Sequence, residues 1–447
     1  MSMFRFPKIS FGRLLAGLLL AATLAACDTA AATPTPIAPT PTPPANIPLS
    51  ISPAPTLPAT RAPGEPITLT VWAPSPFSPG NDNAIQQILA RQYADFATSP
   101  DGTPATVLTK KDHGPGGLLD LLKTAKPVAA GILPDLIALD TTDLEIAARA
   151  GLLQPIARSV PTDFTADFFP AARDLGSVDG ELYGLVYSLD LEHAAYNTKV
   201  TATAPVTWSE ILTSTRRYVF AVHDAGTSVS DAVLAHYFAL GGTLLSADHQ
   251  PALDQDTLVG LLNLYQQAQR KGVLPADILD FTGPIDTWAA FNSTGAAMVN
   301  VPASRYLTLQ SSAPAIQFAA LPAFDHQPAA PIARGWALAV VTRDPRRQAA
   351  ALRLAQWLLA PERNGAWTES AGVLPGRLSA LSQWNQTHPY TGFIRDQLLR
   401  AQAAPSAAIL NVIGPALRKA IDDVLTGKAA PTDAAQAAVA AVNTGKK

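Results

Sequence analysis

Leu133–Ile156, LPDLIALDTTDLEIAARAGLLQPI, is the stretch on which the fold turns. Asp135-Leu-Ile-Ala-Leu139 is a short apolar run without alternation, as expected of a strand buried on both faces. Asp143–Ala150 then has helical spacing, and Gly151 stops it, because glycine adopts the left-handed backbone of a helix end at little cost. A strand running directly into a helix is a βα unit. The rhythm extends upstream. Ile67–Trp72 (ITLTVW) and Ala105–Lys111 (ATVLTKK) read as strands, while Leu118–Ala130 and Ala84–Phe96, the latter after the capping cluster Asn81-Asp82-Asn83, read as helices. Repeated βα units predict an α/β fold with mostly parallel sheet and helices on both faces.

Downstream of Tyr218 the pattern is mainly helical: Asp231–Leu240, Asp256–Lys271, Ile285–Ser293, Gln348–Leu359, Ile394–Ala403 and Ile409–Leu425. Strands are expected at Ala297–Val301, Ile316–Pro322 and Gly335–Val341. The roughly 380 residues from Ile67 onward exceed what one core usually holds, so two lobes are expected.

The start of the chain reads differently. Arg5, Lys8 and Arg13 precede an apolar run, Leu14–Ala22, too short to span a bilayer but suited to a signal-peptide core. It ends in Leu24-Ala25-Ala26-Cys27, which resembles a bacterial lipobox, with cleavage after residue 26 and lipid on Cys27. The alternative is a cysteine that happens to sit in an ordinary secretory signal. Residues 27–66 are Pro, Thr and Ala with almost no charge, as in TPTPIAPTPTPP (Thr33–Pro44). At about 3.1 Å per residue such a tether reaches at most on the order of 100 Å. Net charge is only −3, so no basic field exists to hold nucleic acid. The single cysteine excludes a disulfide framework, and the seven histidines show no metal-ligand spacing, so neither metal nor cofactor is expected.

Several blocks taken in order resemble the bacterial extracellular solute-binding proteins, the family that includes maltose-binding protein. They are Ile67–Ser75, Leu133–Ile156, Asp179–Val200 (DGELYGLVYSLDLEHAAYNTKV), Ala204–Leu212 (APVTWSEIL), Ala289–Val301 (AAFNSTGAAMVNV), Gly372–Arg377 and Thr426–Val439. The resemblance implies a two-lobe fold with discontinuous lobes, 67–188 plus 322–375 and 189–321 plus 376–447, and a cleft that closes on solute. It implies a monomeric, lipid-anchored component of an ABC importer on the outer face of the cell membrane. Its partners would be permease subunits and a small solute, a sugar or related polyol, and it would catalyse nothing. The sequence departs from the family pattern in carrying Val186 where a proline is usual, and Pro302-Ala-Ser-Arg305 where an aromatic is often found. Local physics supports some blocks independently: Thr207 and Glu210 form a capping box, and Gly180 and Gly184 flank a tight turn.

A sugar offers hydroxyls at its edge and apolar patches on its faces, so aromatic planes and carboxylates are sought beyond the strand ends. Trp72 closes the first strand and is either cleft-facing or core. Asp140 and Thr141 follow the buried strand, and a helix-capping role for Thr141 or Thr142 is the alternative. The resemblance places Asp190, with Glu192 as its rival and Tyr187 as neighbour, at the interlobe crossing. It also places His223 at a second-lobe polar contact and Trp336 at a cleft-facing turn. Arg305 could clamp vicinal hydroxyls, or be a surface cation. Two other functions share some of these features. A sensor signalling to a membrane kinase would have the same fold. A glycoside hydrolase would need Asp190 and Glu192 across a cleft, which neighbours on one strand face do not supply.

Overall fold

The computed structural model describes residues 66–128, 132–324 and 327–445. The leader, Cys27 and the tether up to Glu65 therefore lie outside the described residues. No helix among those described is long and apolar enough to cross a membrane.

Strand β1 (Leu69–Pro74) lies between β2 (Ala105–Lys110) and β3 (Leu136–Asp140), parallel to both. A central strand is covered on both faces, so Leu69, Val71, Trp72 and Ala73 are all buried. Edge strand β2 has one face open and shows alternating exposure. Helix α1 (Ala84–Thr98) is capped by the Asn83 side chain, which accepts from the Gln86 N–H. Helix α2 spans Leu118–Val128. Helix α3 (Thr141–Arg149) leaves β3 with no loop between them, Asp140 capping it by accepting from the Thr142 N–H at 2.8 Å. Ser177–Val178 and Glu181–Leu182 form the expected hairpin, with Asp179 and Gly180 both at positive φ (52° and 81°). Gly184 is not part of that turn. A Cβ there would lie 3.0 Å from Ala337 and from the Leu144 methyls, so it is small to permit close packing.

The long strand β4 (Gly184–Asn197) joins the two halves. Residues 184–191 pair antiparallel with β8 (Ile332–Val340), which pairs antiparallel with β3 in turn. From Glu192 onward β4 pairs instead with β6 (Met298–Pro302) and β7 (Ile316–Ala319). Strand β5 (Tyr218–Val219) completes the path, parallel to β6. The sheet is thus mixed and continuous, in the order β2-β1-β3-β8-β4-β6-β5. Its parallel portions lie at the two ends, and its antiparallel pairs lie where the chain crosses.

In the second half, α4 (Trp208–Ser214) is capped by Thr207, and the Glu210 carboxylate reaches back to the Val206 N–H at 2.8 Å. Helices α5 (Asp231–Ala239) and α6 (Gln255–Arg270) pack around Trp208, Tyr218, Phe220 and Tyr265, and α7 (Pro284–Thr294) packs on β6 and β5. His236 is fully buried among them beside the Tyr265 hydroxyl (2.8 Å), and burial lowers its pKa to about 3. Within Pro302-Ala-Ser-Arg305, α8 (Ala303–Leu309) starts. Helices α9 (Pro345–Leu358) and α10 (Pro361–Ala371) return to the first half. Then come α11 (Pro389–Arg400), α12 (Ala407–Leu425) and α13 (Pro431–Thr444), the last two packing on α6.

Asp135 links α9 to the sheet. It is 3% exposed, accepts twice from Arg347 at 2.6 Å, and takes the Thr70 N–H at 2.8 Å. Replacing Asp135 by Ala leaves a cation and a strand N–H without their acceptor. The expected loss is about 3 kcal/mol, read as a lower urea midpoint at unchanged m-value.

Candidate functional site

Beyond the carboxyl ends of β1 and β3, beside the crossing strands, lies a cleft of about 530 Å³. Its wall is aromatic. After Pro74 the chain cannot continue the strand. Ser75–Phe77 makes one tight helical turn, held by the Ser78 hydroxyl donating to the Pro74 carbonyl at 3.0 Å, and this presents Phe77. Trp336 on β8 lies opposite Asp140 of β3 and Ser188 of β4. Its ring centroid is 5.0 Å from that of Phe77 and 5.6 Å from that of His113. Trp367 on α10 stands 5.4 Å from Phe77, with Tyr187 behind it at 4.7 Å. Gly335 is required where β8 meets β4: a Cβ would come within 2.3 Å of the Ser188 carbonyl oxygen.

The edge is polar. Asp140, Asp190, Ser304 and Arg334 all line the cleft. Past Arg334 a second cavity, of about 550 Å³, opens toward the other half. Glu192, His223, Asp224 and Asp231 line it, and Arg334 belongs to both. Arg334 makes a bidentate contact with Asp231 at the start of α5 (2.7 and 2.8 Å). Burial works against the guanidinium charge, but Asp231, Asp140 and Asp224 outweigh it and raise its pKa. Asp190 accepts from the N–H groups of Leu191 (2.9 Å) and Ser304 (3.2 Å) and from the Ser304 hydroxyl. Burial raises its pKa against those donors. Glu192 is held up at about 8 by burial first, then by the charges of Asp231 and Asp190.

The structure brings Asp140, Asp190 and Trp336 together in the first cavity and sets His223 in the second. The other expected residues are placed differently. Trp72 faces the core, 4% exposed, because β1 is central and covered on both sides; the Lys110 ammonium lies 5.5 Å from its ring centroid. Phe77, five residues further on, takes the cleft position. Thr141 is buried, its hydroxyl accepting from the Gly335 N–H at 3.3 Å, so it braces β8. Asp140, rather than Thr141 or Thr142, caps α3. Tyr187 is 2% exposed and supports the wall from behind. His223 Nε2 is 2.7 Å from Asp422, which fixes the ring against α12. Arg305 lies on the exposed side of α8, 5.8 Å from the Trp288 ring, while its neighbour Ser304 turns inward to Asp190. Trp367 gave no sequence signal beyond helical spacing. Phe77 could have been found from its place in the loop that follows β1.

The family of bacterial extracellular solute-binding proteins matches residues 121–390, and the chain belongs to that family. A maltotriose-binding protein of Pyrococcus abyssi is 30% identical over 138 residues, 31% of this chain. The match spans only 28% of that relative's length. Among solved structures, a cyclic α-maltosyl-1,6-maltose binding protein from Arthrobacter globiformis superposes with a TM-score of 0.71 at 20% identity, covering 85% of this chain and 99% of that one. A cyclo/maltodextrin-binding protein complexed with maltotetraose gives 0.69 at 20% identity, over 86% and 98%. A solute-binding protein from Thermotoga lettingae bound with α-D-tagatose gives 0.63 at 22%, over 85% and 100%. At these identities the likeness establishes the two-lobe α/β fold.

Glu192 yields a test of the site's electrostatics. Unfolded, its pKa is the ordinary 4.5; folded, it is about 8. Between those values the folded chain keeps a proton that the unfolded chain has lost, so this residue's contribution to stability falls as pH rises. Glu192→Gln removes the slope. The variant should gain melting temperature over the wild type, by clearly more at about pH 8.5 than at about pH 5. An equal offset at both would mean that Glu192 titrates normally.

Proposed function

We propose that this protein is the extracytoplasmic, lipid-anchored receptor of an ABC importer, capturing a sugar or related polyol between its lobes and passing it intact to the permease. The observation that carries this reading is the wall of Phe77 and Trp336, backed by the buried Trp367, opposed by the polar edge of Asp140, Asp190 and Arg334. Flat rings fit the C–H faces of a pyranose, and carboxylates and a guanidinium fit its hydroxyls. A cleft of about 530 Å³ is in the usual range for small ligands. Relatives named for binding maltotriose and maltodextrins make carbohydrate the favoured class. The lobes are taken as 67–188 plus 322–375 and 189–321 plus 376–447, with closure about the crossing strands. Cys27 would carry the lipid, and the Pro/Thr/Ala tether would hold the lobes off the membrane. No cofactor or catalytic residue is assigned.

The binding test is a thermal-shift screen of neutral mono- and oligosaccharides, since a ligand held only by the folded state raises its melting temperature. For a sugar that binds, Trp336→Ala should weaken affinity by about 2 kcal/mol, some thirtyfold. Unchanged affinity would remove the ring from the site. For the anchor, Cys27→Ser should release the protein from the membrane fraction into the medium, and retention of the variant would contradict lipidation.

A further inference from the structure

The cleft is unbalanced in charge. Its first cavity is lined by the carboxyl groups of Asp112, Asp140 and Asp190, and its second by those of Asp224 and Asp231 together with Glu192, which its raised pKa keeps largely protonated at neutral pH. Among the described residues lining either cavity, Arg334 is the one arginine or lysine, and Asp231 already holds it in a bidentate contact. Three carboxylates keep acceptor capacity. Asp112 uses Oδ1 for the His113 N–H. Asp140 uses Oδ1 for the Thr142 N–H, and Asp224 uses Oδ1 for those of Gly226 and Ser228. A neutral sugar would be bound by such a site, but it would leave the excess of negative charge uncompensated.

His223 adds an independent sign of the same preference. It lines the second cavity at 4% exposure, and its Nδ1 has no hydrogen-bond partner among the described residues. Its Nε2 faces the Asp422 carboxylate, which can only accept, so in the neutral ring Nε2 carries the proton and Nδ1 is an acceptor. Nδ1 is thus a buried acceptor without a donor on a residue that lines the cavity. Burial first, and then the charges of Asp231 and Asp190, oppose the ionisation of Glu192. The aromatic wall adds to this, because ring faces attract cations as well as C–H surfaces.

We propose that the solute is a saccharide bearing a protonated amine, with its ring against Phe77 and Trp336 and its amino group directed past Arg334 into the cavity of Asp224, Glu192 and His223. This rests on the carbohydrate reading above and narrows its class. A cation there pairs with carboxylates that otherwise repel one another, and no covalent change is involved.

The test is calorimetric titration of the full chain with three matched sets: glucose, glucosamine and N-acetylglucosamine, and the corresponding β-1,4 dimers. Spermidine serves as an amine without a sugar ring. The aminated form should bind at least roughly tenfold more tightly than its neutral and acetylated counterparts. That preference should shrink when salt rises to about 0.5 M, where screening is short-ranged. Asp224→Asn should bring the aminated and neutral forms to similar affinities. If neutral sugars bind and their aminated forms bind no better, this inference fails and the carbohydrate reading stands. If spermidine binds and no saccharide does, or if nothing in the panel binds, both fail.

Discussion

The backbone ladder along Gly184–Asn197 changes partners between Leu191 and Glu192, and the molecule is organised around that exchange. Buried peptide groups must be paired, so a strand that leaves one lobe for another needs a new partner where it loses the old one. Strand β8 supplies the pairing up to Leu191, and β6 takes over at Glu192. The changeover is therefore the place where the chain passes from one half to the other. A cleft forms beside it because neither lobe's helices cover it. Asp190 sits at the changeover and binds the first turn of α8, linking the crossing strand to the second lobe.

Charge buried at such a place has to be compensated, and the compensation is uneven. Asp190 has three donors, and Arg334 and Asp231 satisfy each other across the two halves. Glu192 has only like-charged carboxylates and burial acting on it most strongly, and its pKa rises. Well-packed rings beside under-compensated carboxylates are what a receptor for a polar, ring-shaped guest requires. The rings exclude water, and the polar groups gain most when the guest arrives.

Much of the fold could be read from the chain. The strands and helices from Ile67 to Arg149 follow from apolar spacing and caps, and Thr207 caps α4 as its sequence context suggests. The site was read less completely. The loop after β1, the end of β3, the crossing at Asp190 and β8 at Trp336 all border the cleft, Trp336 from within the strand rather than from the turn that the resemblance implied. Individual side chains were another matter. Trp72 and Phe77 stand at the same end of β1, and their order of merit reversed because β1 is central. Ser304 and Arg305 are adjacent, yet the helix beginning at Ala303 turns one inward and the other to solvent.

Local order was decided by the sequence alone: periodicity places apolar faces, glycine and proline end elements, and short polar side chains cap helices, all through contacts within a few residues. Tertiary structure decided which groups share the cleft. Trp336 meets Phe77, and Arg334 meets Asp231, across separations of 259 and 103 residues, and these meetings depend on strand register and lobe packing. No local rule encodes such distances, because they arise only when the whole sheet is assembled.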